Sequence, residues 1–343
     1  MQPEATVPRA GELADAAVAD SAQREGSAVQ RVLSSQAFWV TVALALICLG
    51  MTILHPRAFA SVENFYNITR NFAFIGIMAL GMAVVIITGG IDLSVGSLMG
   101  LVGIVAGIIL QAHGPWWVAM TAGIATGVIA GWVNGWFIAY VGLSPFVVTL
   151  GMLSVARSLA IVISQNRMIY DFGPDAGVIY AIGGGQILGI ANPVWMLVLL
   201  TALFGAVLKF SRFGRHLYAI GGNEQAARLT GVPVDRIKLQ AYVISGLMAA
   251  LSAVMIIGWQ GSAINALGVG YELRVIASTV IGGANLMGGE GGAYGAFVGA
   301  ALIEVIRNSL LMAGVDANWQ GTFVGVFIVL AVLLEKIRGR KRG

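Results

Sequence analysis

The residues able to do chemistry are few and stand far apart. Ionisable groups interrupt apolar runs at Asp92, at Arg157 and at the pair Glu304 and Arg307, while Glu272 and Arg274 flank the start of another run. The three histidines, His55, His113 and His216, are scattered. The one cysteine, Cys48, lies in an apolar run, so neither an internal disulfide nor a cysteine cluster can form. There is no G-x-x-x-x-G-K-[ST] phosphate loop and no H-E-x-x-H zinc motif. The chain is therefore expected to carry no catalytic residue, to hold no metal or cofactor and to hydrolyse no ATP of its own.

What remains is chemistry suited to moving a polar solute. A carboxylate at membrane depth is costly and marks function by default. Asp92, however, precedes Leu93-Ser94-Val95-Gly96-Ser97, so the expectation leans towards a cap on the following helix at a water interface. Arg157 either snorkels outward or pairs with an acid inside the bundle. Glu304 and Arg307 are three residues apart on one predicted helix and are expected to pair locally. Asn134, Gln260, Asn265, Asn285, Asn308 and Gln320 are neutral hydrogen-bonding groups that could face a polar pathway or tie helices together. Asp92, Ser94, Asn134, Asn285 and Asn308 are taken as the pathway candidates.

The elements that must position these groups are membrane helices. The chain has 343 residues, 58% hydrophobic and only 10% charged, against about 25% charged in soluble domains. Its mean hydropathy is +0.85. The class is an all-α, polytopic membrane bundle. The 47 glycines suit close helix packing. The basic balance does not imply nucleic acid, because its cations gather in a central loop and in the tail 337–343, where they orient the protein and meet anionic lipid.

In order along the chain, residues 1–34 read as a flexible cytoplasmic extension rather than a cleaved signal peptide. A transmembrane domain is expected over 35–336. Spans are predicted at about 37–54, 71–88, 94–111, 115–140, 144–164, 194–210, 239–260, 273–287, 292–313 and 321–334. About ten crossings put both termini and the basic loop 211–238 on the cytoplasmic side. Asn67-Ile68-Thr69 falls in a predicted loop and is formally a sequon of little weight. Gly127, Gly131 and Gly135 form one small-residue face awaiting a neighbour. Trp39, Trp116, Trp117, Trp195 and Trp319 fall near span ends, as interfacial anchors do. Gly89-Gly90-Ile91-Asp92-Leu93 resembles Gly282-Gly283-Ala284-Asn285-Leu286, which suggests an internal duplication with broken helices.

The longest polar stretch, 214–233, holds one predicted short helix: Gly221-Gly222 break the chain, Asn223 caps, Glu224 fills the first turn, and Gly231 and Pro233 stop it. Its run G-R-x-x-x-A-I-G-G-N-x-x-A-A-R-L-x-G resembles the cytoplasmic coupling loop of permease subunits in ribose-type ABC sugar importers. The stretches T-G-G-I-D-L-S-V-G-S, P-F-V-V-T-L-G-M-L-S-V-A-R-S-L-A, I-G-G-A-N-L-M-G-G-E-G-G and V-I-R-N-S-L-L-M-A-G-V extend that resemblance over about 37–336. Glu304 departs from the small or apolar residue expected at its place. The resemblance implies a permease that translocates a monosaccharide or similar small neutral solute across a bacterial inner membrane. It implies that Gly221, Gly222, Asn223, Glu224, Ala227, Arg228 and Gly231 meet an ATP-binding subunit, which binds ATP and Mg. It also implies a second permease subunit, identical or different, and a periplasmic or surface-tethered sugar-binding protein. An ion-coupled secondary transporter, with Asp92 and Glu304 as coupling groups, and an ABC permease for a non-sugar solute are the alternatives. The sugar itself is not legible.

Overall fold

The computed structural model describes residues 33, 35–316, 319, 321–322 and 325–326. The expected N-terminal extension apart from Leu33, most of the last predicted span, Gln320 and the basic tail lie outside the described residues. The helices are α1 (Gln36–Leu54), α2 (Val62–Ile87), α3 (Val95–Gln111), α4 (Trp116–Ala139), α5 (Pro145–Ile163), α6 (Ala176–Gly184), α7 (Asn192–Phe210), α8 (Arg212–Gly222), α9 (Glu224–Leu229), α10 (Val234–Gln260), α11 (Tyr271–Ile281) and α12 (Ala293–Met312). A short 3-10 turn precedes α6, and a two-stranded hairpin, β1 (Gln186–Ile187) with β2 (Ile190–Ala191), follows it. Seven described helices are long and apolar enough to cross a membrane: α1, α2, α4, α5, α7, α10 and α12.

Two of them form the centre. In their most apolar stretches 89% of α2 and 78% of α10 is buried, against 6% of α1 and 17% of α5 and of α7. With lipid as apolar as leucine, close packing rather than water exclusion must hold such a bundle together. The glycine face of α4 does so against α10. A Cβ on Gly127 would stand 2.6 Å from the Gly246 carbonyl oxygen, and one on Gly131 would stand 2.4 Å from that of Tyr242. A Cβ on Gly135 would stand 2.9 Å from the Leu239 carbonyl oxygen. A second crossing joins α11 to α12, with Gly299 against the Ser278 carbonyl and Gly295 against that of Gly282.

Three boundaries differ from the sequence expectation. α2 begins at Val62, because the Ser61 hydroxyl caps it by accepting the Asn64 N–H at 3.1 Å with Glu63 in the first turn. Asn67-Ile68-Thr69 is therefore helical, with Ile68 buried. α11 stops at Ile281 rather than Met287, since Gly283, Gly288, Gly289 and Gly291 all hold positive φ. At about 1.5 Å per residue it reaches roughly half of an apolar core about 30 Å thick. The polar stretch after α7 holds two short helices, α8 and α9, and not one.

The connection from α10 to α11 does not stay at the surface. After pairing with Ile169 through Ala263, it folds inward along α3. A Cβ on Gly268 would meet the Gly96 carbonyl at 2.2 Å, and one on Gly100 would touch the carbonyls of Asn265 and Leu267 at 3.0 Å. Glycine at 96 and 100 is what lets this segment lie against α3.

Candidate functional site

Two polar assemblies stand out, one at an end of the bundle and one inside it. At the end, Ser211 caps α8 by accepting the Gly214 N–H at 3.0 Å, and Asn223 caps α9 by accepting the Ala226 N–H at 3.0 Å. Gly231 ends this unit at φ 82°. Glu224 is tied to Lys238 on α10 at 2.5 Å and to Arg228 at 3.1 Å, and Arg228 reaches Asp235 at 2.5 Å. Burial works to raise the Glu224 carboxyl, but Lys238 and Arg228 outweigh it and hold the carboxylate below its ordinary range. The network fixes α9 on the foot of α10. Ala227 is buried on the face turned inward, while Leu229 is 90% exposed. A short charged helix thus carries a bare apolar tip, a feature the sequence reading passed over.

α8 reaches the bundle through a glycine junction. The Gly289 N–H donates to the Ile87 carbonyl at 2.9 Å, joining the break after α2 to the break after α11. The joint lies just outside the two look-alike stretches, 89–93 and 282–286. Gly221 of α8 is wedged against the joint: its Cβ would stand 1.9 Å from the Ile87 oxygen and 2.2 Å from the Gly289 nitrogen. The Tyr218 hydroxyl donates to the Gly291 carbonyl at 2.8 Å. Gly222 is open to solvent. A cavity of about 1030 Å³ opens beside this joint, lined by Lys209, Arg215, Tyr218, Asn285, Glu290 and Tyr294 among others.

Inside the bundle, Asp92 is fully buried, which corrects the expectation of a cap at a water interface. Its Oδ1 accepts from the Ser94 N–H at 3.0 Å and the Ser94 hydroxyl at 2.6 Å, and its Oδ2 accepts from the Ser245 hydroxyl at 2.8 Å. Asn134 donates to the Ser94 oxygen at 3.0 Å. Asp92, Ser94 and Asn134 are therefore one network that binds α3, α4 and α10 together. The amide oxygen of Asn134 is buried with no hydrogen-bond partner among the described residues.

The other pathway candidates lie elsewhere. Asn308 and Asn64 exchange amide hydrogen bonds at 2.8 and 3.3 Å, a tie between α12 and α2. Asn285 accepts the Met287 N–H at 2.8 Å within the second break. Glu304, buried, pairs with Arg307 on the same helix, as expected. Arg157 donates to the carbonyls of Asn265 and Leu267, the latter at 2.9 Å. Neither snorkelling nor a direct acid partner describes it.

The sequence matches, over residues 64–332, the family model described as branched-chain amino acid transport system / permease component. A probable ABC transporter permease of Sinorhizobium fredii is 39% identical, covering 88% of this chain and 89% of its own. A ribose import permease of Escherichia coli is 36% identical over 86% of this chain and 92% of its own. A fructose import permease of Rhizobium meliloti is 32% identical over 87% and 84%.

Proposed function

The chain belongs to the family of branched-chain amino acid transport system permease components, and we propose that it is the membrane subunit of an ATP-driven importer for a monosaccharide. The whole-length similarity to ribose and fructose import permeases supports the sugar class. One structural observation carries the mechanism: α8, continuous with the exposed α9, is wedged through Gly221 into the joint between the two helix breaks. The chain holds neither ATP nor Mg. Both belong to an ATP-binding subunit whose cleft receives α9 around Leu229, on the cytoplasmic side, where both termini also lie.

Closure of the ATPase pair moves α9. The ion pairs of Glu224 and Arg228 and the Asn223 cap pass that movement to α8 and the foot of α10. α8 then displaces the ends of α2 and α11 together, and rigid helices convert the shift into a change of access. A second permease subunit completes the pathway, and a sugar-binding protein delivers the solute on the opposite face. An ion-coupled mechanism is disfavoured: Asp92 already accepts three hydrogen bonds and Glu304 is held by Arg307, so neither is free to take a coupling ion.

Uptake into vesicles, with and without the ATP-binding subunit, tests the reading with ribose, fructose, arabinose and leucine as solutes. Sugar uptake that needs ATP and the partner and survives an ionophore supports it. Leucine uptake alone, or uptake abolished by the ionophore and indifferent to ATP, overturns it.

A further inference from the structure

Arg157 and Glu272 occupy adjacent notches on one face of α3. The Arg157 Nη1 lies over Gly100, 3.0 Å from where a Cβ would stand, and a Glu272 Oε2 lies over Gly96 at 2.3 Å. Those glycines are one helical turn apart, about 6 Å. Arg157 donates through Nη1 to two backbone carbonyls of the inward-folded segment, at Asn265 and Leu267. The Glu272 Oε2 is buried with no hydrogen-bond partner among the described residues, although it is near enough to Arg157 for their charges to interact. A buried carboxylate oxygen without a donor is costly, and a guanidinium pairs more strongly with a carboxylate than with a carbonyl.

We propose that Arg157 is the positioning residue that pins the 261–270 segment along α3, and that Glu272 is the second station its guanidinium occupies when the segment is released during transport. Asn265 also donates to Asn166 at 3.0 Å and to Ser164 at 3.3 Å, which tethers the same segment to the end of α5. The segment, α5 and α3 therefore form one unit with two settings, and Arg157 selects between them. The inference rests on the importer reading, since the release belongs to its transport cycle.

The test uses the full chain assembled with its ATP-binding subunit in proteoliposomes, carrying Cys48→Ser and Ala266→Cys. Ala266 is exposed on the segment. The rate of labelling by a membrane-impermeant maleimide is measured with and without ATP. The parent is expected to label at two different rates in the two conditions. Arg157→Gln is expected to label at the faster rate in both, by about tenfold over the slower parent rate, the scale of a lost charge-assisted bond. Glu272→Gln is expected to keep the slower rate in both, and Arg157→Lys to fall between. A merely structural role would change stability and leave the response of Glu272→Gln to ATP like that of the parent. That result, or parent-like labelling of Arg157→Gln, overturns the proposal; if Arg157→Gln fails to assemble, Glu272→Gln decides. A parent that takes up no sugar would defeat the importer reading, while Arg157→Gln against the parent without ATP would still decide the pin.

Discussion

Gly221→Ala asks whether the wedge of α8 transmits movement. The added Cβ would lie 1.9 Å from the Ile87 oxygen and 2.2 Å from the Gly289 nitrogen, both backbone atoms that no rotamer can clear. Since real Cβ contacts essentially never fall under 3.0 Å, α8 must back away by about 1.1 Å, or the bond from Gly289 to Ile87 must open. Overpacking of this kind costs about 1–3 kcal/mol, and the lost hydrogen bond about 1 kcal/mol. Because the joint sits at the end of the bundle and not in its centre, that cost falls on the coupling state and not on insertion. At 1.4 kcal/mol per factor of ten, the solute carried per ATP hydrolysed should fall about tenfold. Uptake and phosphate release measured together in proteoliposomes give that ratio. An unchanged ratio would refute the reasoning, and so would a variant that fails to insert.

Further consequences follow from the same contacts. Gly131→Val places methyl groups into the Tyr242 carbonyl, which a Cβ alone would approach to 2.4 Å, so the detergent-solubilised protein should lose about 1–3 kcal/mol in a thermal unfolding assay. Asp92→Ala leaves the Ser94 and Ser245 donors without their buried acceptor; a loss of about 3 kcal/mol or more is expected, and a thermal midpoint like that of the parent would contradict the network. The Glu224 carboxyl is held below its ordinary value in the folded state. Its contribution is therefore complete above the unfolded value of about 4.3 and disappears as pH falls through the lower folded value. Amide exchange across 224–229, corrected for intrinsic rates, should stay protected from pH 8 to about 5 and lose protection only in more acid solution.

Much of this architecture could be read in the sequence because the signals were local and periodic. The glycine face of α4 predicted a close neighbour, which is α10, and Asn223 and Gly231 bracketed α9 by cap chemistry alone. The limits of α1, α3 and α5 lay close to the expected ones for the same reason, while α10 starts at Val234, inside the expected loop. α2 was started too late because Glu63, Asn64, Asn67 and Arg70 look like a loop until the Ser61 cap is seen. What stayed hidden was long-range. Nothing in the sequence near Asp92 announces Ser245, 153 residues away, whose hydroxyl turns an apparent interface cap into a buried knot. Likewise, the resemblance between the breaks at 89–93 and 282–286 was visible, but the joint of Ile87 with Gly289 beside them, against Gly221, depends on the crossing of α2, α8 and α11. The apolar Leu229 on a polar helix was a readable signal of a docking tip.

Docking through that tip is tested most directly by placing a photo-crosslinking benzoylphenylalanine at Leu229 in the assembled importer, with Leu188 as the control. Leu188, at the tip of the β1–β2 hairpin, is 88% exposed, nearly as bare as Leu229. Irradiation should join position 229 to the ATP-binding subunit, with the yield changing on addition of ATP, and should leave position 188 unjoined to it. Adducts from position 188, or none from position 229, would contradict the assignment of α9 as the element that receives the force of ATP hydrolysis.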